Sequence, residues 1–83
     1  MNLQDILYKV NIDKAVGSTD IEISNIAFDS RKVNANGLFV AINGTIFDGN
    51  QFIDSTIEKG AVAIIVEQIP ANINKDITYI KVE

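Results

Sequence analysis

Six consecutive residues, Phe28-Asp29-Ser30-Arg31-Lys32-Val33, bring together an aromatic ring, a carboxylate, a hydroxyl and the single arginine of the chain beside a lysine. A second dense stretch, Asn43-Gly44-Thr45-Ile46-Phe47-Asp48-Gly49-Asn50, offers another ring, another hydroxyl and two glycines that permit close backbone approach. Taken singly, each has a plain structural reading. Asp29 and Ser30 form an Asx or Ser turn with Arg31 and Lys32 in solvent, and Asp48 caps a helix after a strand. Taken together, they hold the parts that grip a flat, uncharged heterocycle such as a pyrimidine: the Ser30 hydroxyl, backbone groups of Gly44 to Phe47, and the ring faces of Phe28 or Phe47.

Other chemistries lack their residues. The 83 residues include no cysteine and no histidine, which removes thiolate and imidazole zinc sites and His-based triads. Neither G-x-x-x-x-G-K-[ST] nor G-x-G-x-x-G occurs, so nothing here cradles a triphosphate. The acids are spread along the chain with no base to orient a nucleophile, so the residues alone describe a non-catalytic binding module. Seven basic residues against eleven acidic ones give a net charge of −4, and the lysines are scattered; a nucleic-acid partner, which draws its affinity from clustered cations, is disfavoured. The start of the chain, MNLQDILYKV, has no basic segment leading into an apolar one, and no apolar run approaches the roughly 20 residues that span a bilayer. A cytoplasmic protein without a membrane partner is expected.

The elements that position the two loops follow from the hydrophobic pattern. One domain covering residues 1–83 is expected, since 47% hydrophobic residues and a single proline leave no linker or low-complexity segment. Leu3, Ile6, Leu7 and Val10 fall on one helical face behind a capping Asn2. The stretch IEISNIAF from Ile21 alternates, but its apolar phase slips between Ile23 and Ile26, which predicts a strand broken near Asn25. LFVAI (38–42) and VAIIV (62–66) are continuous apolar runs, predicted as central strands covered on both faces. Between them, residues 51–59 read as a helix with Asp48 or Asn50 as N-cap and Gly60 ending it in a left-handed conformation. After a polar loop, TYIKV (78–82) alternates as an outer strand with one wet face would. The predicted fold is α/β: a small mixed, mostly parallel sheet of about five strands with two helices. In such sheets ligands sit outside the carboxyl ends of the strands, where both loops fall.

The motifs F-D-S-R-K-V, L-F-V-A-I-N-G, D-G-N-Q-F-I and I-E-K-G-A-V-A-I-I-V-E, in this order between Ile21 and Glu67, resemble the amino-terminal domain of the Mur ligases. They are most similar to the branch that adds the third amino acid to a peptidoglycan precursor. The resemblance implies a cytoplasmic ligase that uses ATP and Mg²⁺ to activate the D-Glu side-chain carboxylate of UDP-MurNAc-L-Ala-D-Glu as an acyl phosphate. The amine of meso-diaminopimelate or L-lysine then displaces phosphate to form an amide. It also implies that residues 1–83 are one domain of a larger three-domain enzyme. That domain would hold the uridine end of the substrate, its partners being the ATP-binding and carboxy-terminal domains of the same chain, and it would itself be non-catalytic and bind neither ATP nor Mg²⁺. Carried over position by position, the uridine contacts fall on Phe28, Ser30, Thr45, Ile46 and Phe47. Two positions depart from the family pattern: Asn36-Gly37 replaces the usual Gly-Asp, and Asn50 stands where histidine is common. Two alternatives remain open at this point: the sister branch that adds D-Ala-D-Ala, and a free-standing nucleotide-sugar-binding adaptor.

Overall fold

The computed structural model describes residues 1–8, 10–28, 30–41, 55–67, 69 and 73–82, with Ser30 described by its backbone only. Helix α1 (Leu3–Leu7) starts where Asn2, in extended conformation, accepts the Gln4 amide on its side-chain oxygen at 2.9 Å, the bond expected of an N-cap. Leu3 and Leu7, one turn apart, are buried. The helix is shorter than the apolar spacing predicts. It ends at Leu7, and Val10 is exposed, because the chain leaves the helix to enter β1 (Ile12–Val16).

Four further strands complete one sheet: β2 (Ile26–Ala27), β3 (Gly37–Ala41), β4 (Ala61–Val66) and β5 (Thr78–Val82). Their order is β1-β5-β4-β3-β2, with β1 antiparallel to β5 and the other three pairings parallel. Residues 55–58, directly before β4, are helical and form the described part of α2. The mixed, mostly parallel five-stranded sheet with two helices is therefore the architecture the sequence predicts. Gly60 ends α2 at φ +110°, and Asn36 turns into β3 at φ +62°. The strand predicted over 21–28 is broken as expected: Glu22 makes only an isolated bridge to Asn2, and β2 resumes at Ile26.

Alternate residues of β3, β4 and β5 fill two cores, one on each face of the sheet. Leu38, Val40, Ala63, Ile65, Ile80 and Val82 pack with Leu3 and Leu7 of α1 and with Ile23. Phe39, Ala61, Ile64, Val66 and Tyr79 pack with Ala27, Val33 and, from α2, Ile57. The predicted outer strand is a correction: β5 lies inside the sheet between β1 and β4. Its alternation misleads because Lys81 reaches an ion pair with Asp13 on β1, while Thr78 is buried with its hydroxyl bonded to Ser18 O at 2.6 Å. The true edge, β1, gave no sequence signal, since four of its five residues are exposed. Among the described residues no helix is long and apolar enough to cross a membrane.

Candidate functional site

Because β2 and β3 are parallel, with Ala27 opposite Phe39, both leave the sheet at the same edge. Phe28 follows β2 directly and is 71% exposed. The chain then makes a 3-10 turn (Ser30–Lys32) that presents Arg31 and Lys32 to solvent. The sequence-predicted residues Phe28 and Ser30 are thus on one short loop at the carboxyl end of the strands. Thr45, Ile46 and Phe47 lie outside the described residues, as do Asp29 and the proposed caps Asp48 and Asn50.

The connection from β2 to β3 has to return the chain along the strands, which ordinarily takes a dozen or more residues. Here nine (28–36) suffice because β2 is only two residues long. Several attachments hold this short crossover. Val33 is buried in the core beside Phe39 and Ala61. The Asn36 amide donates to Gly60 O at 2.8 Å, and Ser24 N donates to Asn36 O at 2.9 Å. Asn25 donates its side-chain Nδ2 to Lys32 O at 3.2 Å, at the end of the 3-10 turn. Sequence reading located the break at Asn25 but gave the side chain no role; a bond to a carbonyl seven residues on leaves no local signature.

At the opposite edge lies an open cleft of about 450 Å³ whose lining includes Ile21, Val62, Ile77, Lys75 and Asp76. Asn36, the last residue of the crossover that begins at Phe28, also lines it, and the Thr78 hydroxyl in its wall is already engaged by Ser18 O. Among the described residues no group of three or more acidic side chains is placed to hold a metal ion.

A small, mostly parallel α/β sheet with the Phe28 loop at the carboxyl end of β2 belongs to the class of open sheets in which ligands bind outside the carboxyl ends of the strands. Comparison with known proteins narrows the class. Residues 22–83 match the family described as Mur ligase family, catalytic domain. The chain is 43% identical over 82 residues to the UDP-N-acetylmuramoyl-L-alanyl-D-glutamate--2,6-diaminopimelate ligase of Bacteroides fragilis, which covers 99% of this chain and 17% of that protein. Its identity to the ligase of the same name from Clostridium tetani is 44% over 85 residues, covering 100% of this chain and 18% of the relative. Among solved structures, MurF from Acinetobacter baumannii superposes with a TM-score of 0.58 at 29% identity, over 75% of this chain and 13% of that one. MurF from Thermotoga maritima, solved in complex with ADP, gives 0.54 at 36% identity over 71% and 13%. The chain belongs to the Mur ligase family and has the fold of its amino-terminal domain. It spans less than a fifth of the length of the relatives named here.

Proposed function

We propose that this chain is the uridine-binding amino-terminal domain of a MurE-type ligase, which adds the third amino acid to UDP-MurNAc-L-Ala-D-Glu in the cytoplasm. The observation that carries the reading is the 43% identity, across essentially the whole chain, with a relative named for diaminopimelate ligation. The MurF likenesses are structural and cover about three quarters of the chain, which makes the D-Ala-D-Ala-adding branch the second reading. The exposed Phe28 ring and the turn carrying Ser30 are where the uracil and ribose would be gripped, with Thr45, Ile46 and Phe47 completing the site from the loop after β3.

We place ATP and Mg²⁺ outside these 83 residues. The sequence has no glycine-rich phosphate loop, and no acidic cluster for a metal occurs among the described residues. In the proposed enzyme both belong to the central domain, and diaminopimelate or lysine is placed with the help of the last. The part played by these 83 residues is to bind and orient the nucleotide end of the substrate, so that its distant carboxylate reaches the chemistry.

An amide chemical-shift titration with UDP and with UDP-MurNAc tests the reading. The expected dissociation constant is on the order of 0.1 to several mM, since contacts from the other domains are missing. Shifts at residues 28–31 and 43–49 support the site. No shift at saturating ligand, or shifts only around the cleft at the other edge, would overturn it.

A further inference from the structure

The last carbonyls of a helical turn need partners from outside it. In the Ser30–Lys32 turn, Lys32 O finds one in the Asn25 side chain, whose Nδ2 donates at 3.2 Å. The backbone carbonyl of the same residue accepts the Leu38 amide at 2.8 Å. Asn25 therefore holds the turn with its side chain and joins the start of β3 with its main chain. Its side-chain oxygen stands 2.6 Å from the place a β-carbon on Gly37 would occupy, and Asn34 O is 2.8 Å from that place. Residue 37 has to be glycine for Asn25 to keep this pose. Ser24, beside it, donates its hydroxyl to Ala35 O and its amide to Asn36 O, so the neck of the crossover is closed on both sides.

We infer that Asn25 is a positioning residue, fixing the pose of the Ser30–Lys32 turn and, through it, the Phe28 and Ser30 groups that meet the ligand. The consequence for binding rests on the uridine reading above; the consequence for the turn does not. A turn released from its partner samples other poses, and the apparent dissociation constant rises in inverse proportion to the competent fraction that remains. The loss of one hydrogen bond to the turn corresponds to weakening by about three- to tenfold.

The test compares Asn25→Ala and Asn25→Asp with Thr78→Val, which removes a hydrogen bond at the far edge. Asn25→Asp keeps the side-chain shape, removes the donor and sets a carboxylate oxygen against Lys32 O. Without ligand, ¹⁵N order parameters at Arg31, Lys32 and Val33 should fall in both Asn25 variants and stay at parental values in Thr78→Val. With UDP, the Asn25 variants should bind about three- to tenfold more weakly while Thr78→Val binds like the parent. Unchanged order parameters in the Asn25 variants overturn the inference whatever UDP does. A mobile turn with parental UDP affinity overturns the link from turn to site. If the parent itself ignores UDP, it is the uridine reading that fails, and the ligand-free order parameters decide the role of Asn25. Should Asn25→Ala not fold, Asn25→Asp carries the same comparison.

Discussion

At the amino ends of the parallel strands, chain segments far apart in sequence are tied to one another. The Thr78 hydroxyl bonds Ser18 O, and the Asn36 amide bonds Gly60 O at 2.8 Å. At the carboxyl end of β2, by contrast, Phe28 stands 71% exposed beside the exposed Arg31 and Lys32. The two ends differ in exposure: one ties separate segments together through hydrogen bonds, the other leaves an aromatic ring and two cationic side chains at the surface. Recognition can therefore be altered at the carboxyl edge with little effect on folding, while changes at the core and the amino edge register first as lost stability.

Four substitutions sharpen or break that contrast. The largest effect is expected from Phe39→Ala, which empties a buried position beside Ala27 and Val33 and should cost about 3–5 kcal/mol in urea denaturation, enough to threaten a domain this small. Next comes Gly60→Ala. The positive φ alone costs about 1–3 kcal/mol, and the new β-carbon would sit 2.6 Å from Ala35 Cα, so the melting temperature should drop clearly with no direct effect on ligand contacts. Ser30→Ala should do the reverse. Loss of its hydroxyl is expected to weaken UDP binding by about 1–3 kcal/mol in the same titration, with stability changed by less than about 1 kcal/mol. If Ser30→Ala melts as Phe39→Ala does, or binds UDP like the parent, the division between the two ends is wrong. The smallest effect belongs to Lys81→Met, which breaks the partly exposed pair with Asp13; it should shift stability by less than about 1 kcal/mol, and the difference should shrink in added salt.

How legible each part was depended on whether its environment imposed a pattern. The runs at β3 and β4 were readable because both faces of these strands are covered, leaving no polar position to interrupt them. Gly60 was readable because left-handed backbone restricts residue type. β1 was not, since a strand held through its backbone pairing to β5 needs no apolar alternation. Lys81 misled because a lysine stem packs like a hydrophobe while its head finds a carboxylate on the next strand. At the site, the turn and its placement at the strand ends could be foreseen from Phe28 to Val33. The Asn25 tether could not, because it joins residues whose proximity exists only once the crossover has folded.

The antiparallel edge has a consequence for the order of folding. The Thr78 to Ser18 bond joins positions 60 apart, and Lys81 to Asp13 joins positions 68 apart, so pairing β1 with β5 closes a loop containing most of the chain. Closing such a loop early is entropically dearer than pairing β2 with β3 across nine residues. The parallel centre should form first and β1 zip on after the rate-limiting step. In kinetic experiments Ala15→Gly, in the middle of β1, should therefore accelerate unfolding while leaving the refolding rate almost untouched.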